Sequence, residues 1–177
     1  EPDYAGNPVI ELNGNGVVAT KGLFLGAGSD GSTIRGLIIN RFTGTGIEIQ
    51  GSNNHTIQGN WIGLDSTGTA AAGNAVKGIY ALNSTGLLIG GTSAAERNVI
   101  SGNAEQGIGF DNVDNSTISG NYVGTNAAGT ADVNGTVANT AQSGVYLANG
   151  SSGNTVGGTS AGARNVLSGN NHFGFEV

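Results

Sequence analysis

Residues 89–103 read IGGTSAAERNVISGN and residues 156–170 read VGGTSAGARNVLSGN. The two segments agree at eleven of fifteen places and lie 67 residues apart. A second pair, TIQGNWIG at 56–63 and TISGNYVG at 117–124, recurs after 61 residues. Such an echo marks an array. Units too small to bury a core alone must stack to make one.

A finer period runs inside the echo. Gly-apolar-x-apolar recurs at Gly22-Leu23-Phe24-Leu25, Gly46-Ile47-Glu48-Ile49, Gly78-Ile79-Tyr80-Ala81, Gly107-Ile108-Gly109-Phe110, Gly144-Val145-Tyr146-Leu147 and Gly174-Phe175-Glu176-Val177. Alternation of this kind puts two apolar residues on one face of a strand, and each piece is too short for a helix. Two other short strands precede most of these. One carries Ile34, Ile57, Ile89, Ile118 and Val156; the next carries Ile39, Ile62, Ile100, Val123 and Leu167. Between them runs a column of Leu37, Asn60, Asn98, Asn121 and Asn165.

The pattern predicts an all-β fold, a single-stranded right-handed parallel β-helix with three short strands per rung and about six rungs, as one domain over 1–177. The Asn column predicts an inward amide ladder at a tight corner. A β-sandwich with Gly-rich turns is the competing reading, but it gives no reason to repeat Asn at one corner.

Rung length varies periodically. The step from the first apolar column to the second is five residues in three rungs and eleven in the other two, through GGTSAAER and GGTSAGAR. The step on to the Gly-apolar strand is eight residues at 39→47, 17 at 62→79 and 22 at 123→145. The true repeat is therefore a pair of rungs, roughly 55–115 and 116–177, after shorter leading rungs in 1–54. Per-repeat insertions tend to lie on one face, often the working one.

Composition narrows the partners. Charged residues make up 10% of the chain and the net charge is −6, so clustered basic surface for nucleic acid is lacking. No apolar run is long enough to cross a bilayer, so membrane insertion is not expected. Cysteine is absent, which excludes a disulfide framework and thiolate metal sites. Glu1-Pro2-Asp3 does not resemble the start of a secretion signal, so the chain reads as a mature or excised segment.

GSTIRGLIINRF at 31–42, GNWIG, GNYVG and the two IGGT…RNVISGN-type segments resemble the bacterial secreted right-handed parallel β-helix repeat proteins, within the pectate-lyase-like superfamily. The resemblance implies the fold and a secreted or cell-surface location. That superfamily spans lyases, hydrolases, epimerases, tailspikes and adhesins, so it does not fix the function.

Catalysis on polysaccharides would need gathered acids, either paired across a scissile bond or holding Ca²⁺ beside a base. The twelve carboxylates are instead spread thinly, without an Asp-Asp pair or a polygalacturonase-type His-Gly or Arg-x-Lys motif. Asp111 and Asp114 read as one solvated turn, and His55 as a turn residue. His172 lies in a different rung from His55. Asp65, in Gly63-Leu64-Asp65-Ser66-Thr67-Gly68-Thr69, is a weak Ca²⁺ candidate, one carboxylate being too few for a strong one. No other cofactor is implied. Arg97 and Arg164 share a repeat position, and each is expected to tie its own inserted loop to backbone carbonyls.

Strand alternation sends Ile38, Trp61, Val99, Tyr122 and Val166 outward. Either the long 63–77 and 124–143 loops fold back over this column, or it is an open face. In the second case Trp61 and Tyr122, two rungs or ~10 Å apart, could stack on alternate sugars. A neighbouring outward column holds Glu48, Tyr80, Gly109, Tyr146 and Glu176. The candidate ligand-binding residues are thus Trp61, Tyr122, Tyr80 and Tyr146, and the structural ones Asn60, Asn98, Asn121, Asn165, Arg97 and Arg164.

The reading that follows is a non-catalytic structural or adhesive module of a secreted or cell-surface protein of bacterial type. Its expected partner is itself, head to tail through uncapped terminal rungs, or further rungs of a longer parent chain. The alternatives are a polysaccharide-binding or polysaccharide-processing β-helix, and an ice-binding solenoid using the interrupted file Thr33, Thr56, Leu88, Thr117, Thr155. Five Asn-x-Ser/Thr sequons, at Asn54, Asn83, Asn115, Asn134 and Asn149, are expected from composition alone.

Overall fold

Parallel strands pile into three sheets in a computed structural model that describes residues 7–18, 20–134 and 143–177. Strands are numbered along the chain. The first sheet stacks β1 (Ile10–Asn13), β4 (Leu37–Asn40), β7 (Trp61–Ile62), β10 (Val99–Ile100), β13 (Tyr122–Val123) and β16 (Val166–Leu167). The second stacks β2 (Lys21–Leu25), β5 (Thr45–Gln50), β8 (Ile79–Thr85), β11 (Ile108–Asp114), β14 (Val145–Ala148) and β17 (Phe175–Glu176). The third stacks β3 (Thr33–Arg35), β6 (Thr56–Gln58), β9 (Leu88–Gly90), β12 (Thr117–Ser119) and β15 (Thr155–Val156). Each sheet takes every third strand, so the chain coils through the sheets in turn. This is a parallel β-helix with three strands per rung.

Register follows the apolar columns. Ile39 pairs with Ile62, Ile62 with Ile100, Ile100 with Val123 and Val123 with Leu167. Ile34, Ile57, Ile89, Ile118 and Val156 are likewise in step, as are Leu23, Ile47, Ile79, Ile108, Val145 and Phe175. Between the ends these residues are fully buried and form one continuous core. A slip of one residue would turn every core side chain outward, so the columns fix the register. β1 adds a leading turn, with Leu12 above Ile39.

The corners explain the sequons. Gly31, Asn54, Gly86, Asn115 and Gly153 occupy one corner with φ of 75°, 60°, 70°, 49° and 65°. Only Gly adopts this region freely, and Asn tolerates it best among the rest. Asn83, within β8, and Asn149, just after β14, also take positive φ, of 52° and 51°. Asn54 and Asn115 are therefore corner residues whose sequon threonines, Thr56 and Thr117, start the next strand. Asp111 and Asp114 also lie within a strand, β11, which corrects the expectation of a solvated turn.

Candidate functional site

The corner before the first sheet holds the amide ladder. Asn60 Nδ2 donates to Asn98 Oδ1 at 3.0 Å, Asn98 Nδ2 to Asn121 Oδ1 at 3.0 Å, and Asn121 Nδ2 to Asn165 Oδ1 at 3.2 Å. The second hydrogen of each amide goes to a core strand: Asn98 Nδ2 reaches the Ile57 carbonyl at 2.7 Å. Each Oδ1 also accepts the backbone N–H of the ladder residue above it. A second ladder, not anticipated from sequence, links Asn74 to Asn103 at 2.9 Å and Asn134 to Asn170 at 2.7 Å. Its trace was present: Asn74, Asn103 and Asn170 each stand four residues before the Gly of a Gly-apolar strand.

His55 belongs to a third corner. It is fully buried. Its Nδ1 accepts the Ser32 N–H at 3.2 Å, and its Nε2 lies 2.9 Å from Ser52 Oγ, which donates to the Leu25 carbonyl at 3.0 Å. Burial lowers its pKa below the ordinary histidine value, against the pull of the Asp30 charge. The residue is a corner pin between rungs. His172 sits near the other end, its Nδ1 3.7 Å from the Glu176 carboxylate.

The outward column of the first sheet is covered at Ile38, Trp61 and Val99 and half-covered at Tyr122 and Val166. Trp61 is 7% exposed, and Ile38 and Val99 are buried with Leu64 and Val133 in a small outer core. The cover is a pair of stacked hairpins. Each closes through an antiparallel bridge, Leu64 to Ala71 and Thr125 to Asp132. Asp65 Oδ1 accepts the Thr69 and Ala70 N–H groups, and Asn126 Oδ1 accepts those of Thr130 and Ala131. Burial pushes the Asp65 pKa up, but the Thr67 hydroxyl and the Ala70, Thr69 and Gly68 amides outweigh it and hold the group below its usual value. Both Asp65 oxygens thus face turn donors. The hairpins join where Ala127 N–H donates to the Gly68 carbonyl at 2.8 Å. Trp61 consequently presents no open ring face, while Tyr122 stays half-buried.

Arg97 departs from expectation in a telling way. Its Nε donates at 3.1 Å to the Gly120 carbonyl of the next rung, and its guanidinium lies 4.1 Å from the Tyr122 ring centroid. It ties rung to rung. Its own loop is held by Glu96, whose Oε2 accepts the Thr92 and Ser93 N–H groups at 2.9 Å. Those bonds, with that from the Ser93 hydroxyl, lower the Glu96 pKa. Arg164 is exposed at the matching position of the last described rung.

The outer face of the second sheet stays open. Phe24, Glu48, Tyr80, Gly109, Tyr146 and Glu176 follow one another across it in register. Tyr80 and Tyr146 are half-buried and flank Gly109, which leaves a step between two rings about 10 Å apart. Lys77 Nζ sits 5.1 Å from the Tyr80 ring centroid and 2.6 Å from Glu105 Oε2. The Tyr80 hydroxyl donates to Asp111 Oδ2 at 3.2 Å, and Asn149 Nδ2 donates to Asp111 Oδ1 at 2.9 Å. Burial, then the negative charge of Asp111, raises the Tyr80 pKa, so the phenol stays neutral. The face combines aromatic edges with amide and carboxylate groups.

Among the described residues no three His, Cys, Asp or Glu side chains gather as a metal site. No helix there is long and apolar enough to cross a membrane. The sequence matches no protein-family model and no curated protein.

Proposed function

We propose that this chain is a non-catalytic structural or adhesive β-helix module of a secreted or cell-surface protein, lengthened along its axis by further rungs. One observation supports the reading: the carboxylates among the described residues are engaged in holding rungs and turns. Glu48 pairs with Lys21 at 2.6 Å, Glu105 with Lys77 at 2.6 Å, and Glu11 with Arg41 at 3.3 Å. Asp30 accepts the Asn53 N–H, Asp114 accepts Ser152, and Glu176 accepts the Ser143 hydroxyl. Incubation with polygalacturonate and alginate, followed by absorbance of unsaturated ends and by reducing sugar, tests it. No turnover is expected; turnover of either polymer removes the proposal.

A second reading rests on the open face. Tyr80, Gly109 and Tyr146 form a shallow platform for a neutral polysaccharide, which would make the module adhesive. Affinity electrophoresis through gels cast with neutral glucans, mannans or xylans tests this, with retardation the supporting outcome.

Copies of the chain stacked head to tail, or further rungs of a longer parent chain, are the two arrangements this reading allows.

A further inference from the structure

The two hairpins outside the first sheet close the same turn with different side chains. Asp65 Oδ1 accepts the Thr69 and Ala70 N–H groups, and Asn126 Oδ1 those of Thr130 and Ala131. Thr67 of the first hairpin stands where the second has Ala128, so the turn forms without a hydroxyl there. The Thr67 hydroxyl is not a requirement of the hairpin fold.

Its direction is fixed by charge. The Asp65 carboxylate can only accept, so Thr67 gives it its single hydrogen, at 2.8 Å. The Thr67 and Thr69 hydroxyls lie 2.6 Å apart, and with the Thr67 hydrogen spent, Thr69 is the donor between them. Thr69 Oγ1 is left with lone pairs alone. The relay from Asp65 through Thr67 therefore ends in an oriented acceptor at an exposed position.

That acceptor borders a cavity of about 260 Å³ at the hairpin tips, lined also by Trp61, Asn126, Ala127 and Ala128. Two of these residues bring spare donors. Asn126 Nδ2 spends one hydrogen on Thr130 Oγ1 at 3.2 Å and keeps the other. Trp61 is 7% exposed, yet its Nε1–H has no hydrogen-bond partner among the described residues. A buried indole N–H ordinarily finds one. Nor is this nitrogen sealed in: the side-chain atoms both sealed and unpartnered among the described residues are Asn40 Oδ1 and Gln106 Oε1. None of the residues lining the cavity is charged.

From this we infer that the cavity at the hairpin tips is a binding site for one neutral pyranose sugar unit. Its donors are an indole N–H and an amide N–H, its acceptor is an oriented hydroxyl oxygen, and alanine methyls and the indole edge supply apolar surface. A pyranose, with hydroxyls around an apolar C–H face, matches that set. One sugar hydroxyl gives its hydrogen to Thr69 while its neighbour accepts from Trp61 or Asn126. Uncharged walls disfavour a uronate or an amino sugar, whose charge would be left unpaired. The volume falls below the about 300 Å³ at which sites for drug-sized ligands begin, so the cavity takes a single unit rather than a chain. The site is separate from the open face of the second sheet and stands or falls independently of it.

Trp61 is the only tryptophan, so a nitrogen–proton correlation spectrum of the chain holds one indole signal. The chain is titrated with glucose, galactose, mannose and N-acetylglucosamine, and with galacturonate and glucosamine as charged controls. Saturable movement of the indole signal is expected with at least one neutral sugar, at a Kd on the order of millimolar, as so small a ligand allows. Thr69→Val, which keeps the shape and removes the acceptor, should weaken that binding about tenfold, in the range of one lost hydrogen bond. Ala128→Leu, which fills the cavity, should abolish it. Both positions are exposed, and unchanged melting curves verify that the hairpins persist. An indole signal unmoved by every neutral sugar overturns the site. So does undiminished binding by either variant, or equal binding of the charged sugars. Should Thr69→Val lower the melting temperature, Ala128→Leu decides alone.

Discussion

Gly68 rests against the indole of Trp61, so close that a methyl at its α-carbon would come within 2.8 Å of the ring. Gly129 takes the same seat on Tyr122, at 2.5 Å from the ring edge. Both glycines also hold φ near +70°. The relationship shows why alternate rungs bulge. A hairpin is two strands wide, about 10 Å, which is the height of two rungs. The outgoing arm at Leu64 accepts from Asn40 of the rung above, while Ala71 of the return arm packs on Gly102 of the rung below. One hairpin per two rungs therefore fills the outer layer.

Gly68→Ala should cost about 2 kcal/mol, from left-handed backbone strain and the ring contact together. Trp61 is the only tryptophan in the chain, so its emission reports on the lid directly. A red shift with a lowered melting temperature is expected. An unshifted spectrum at equal stability would show that the hairpin does not seal the ring.

Replacing ladder asparagines should reveal a gradient. Asn98→Ala strands the Ile57 carbonyl and the Asn60 N–H in a dry core, a loss of about 3 kcal/mol. Asn165→Ala acts at a half-open rung where water replaces the amide, so about 1 kcal/mol or less is expected. Urea denaturation of the two variants compares them; equal losses would contradict the ladder's graded burial.

Legibility from sequence tracked periodicity. The Ile and Val columns and Asn60, Asn98, Asn121 and Asn165 could be aligned because strand and corner steps recur. What lay outside the period was missed. Whether Trp61 is covered depends on how a 63–77 insertion folds, and that turns on Gly68, which recurs as Gly129, and on the Asp65 hub, which does not repeat by type in the next unit: Asn126 replaces Asp65. Sequence ties Arg97 to its own loop because it shows neighbours along the chain, whereas Gly120 becomes its neighbour only on stacking. His55 reads from sequence as a turn residue, which it is, but its buried contacts to Ser32 and Ser52 are invisible there for the same reason. Its column, Ser32, His55, Leu87, Ser116 and Asn154, shares geometry without sharing chemistry.

Acid should weaken the fold through His55. Its folded pKa lies below the unfolded value of about 6.5, so the unfolded chain takes up the proton first. The contribution is intact above pH 6.5 and is lost as pH falls below it, with a slope of at most about 1.4 kcal/mol per pH unit until the folded pKa is reached. His55→Gln, less stable overall, should lack this slope. The measurement is the difference between the two proteins' unfolding free energies from pH 7.5 to 4.5; parallel profiles would mean that His55 does not carry it.

The open face offers the cleanest separation of binding from stability. Gly109 sits between Tyr80 and Tyr146 with only flexible side-chain atoms near it: Lys77 Cδ at 3.3 Å, Lys77 Cε at 3.4 Å and Tyr80 Cδ2 at 3.5 Å from an added Cβ. Its backbone is ordinary strand, in register with both tyrosines. Gly109→Val should therefore fold as well as the parent or slightly better, since a β-branched residue suits the position and a strand glycine does not. The valine would fill the step between the rings and push the Lys77 stem aside. If the face holds a neutral polysaccharide, Gly109→Val and the pair Tyr80→Ala, Tyr146→Ala should each lower retardation in the glycan gel at least tenfold. The valine variant should do so with no fall in melting temperature. Retention by Gly109→Val at the parent's level would move any glycan contact off this column, whatever the tyrosine variants do.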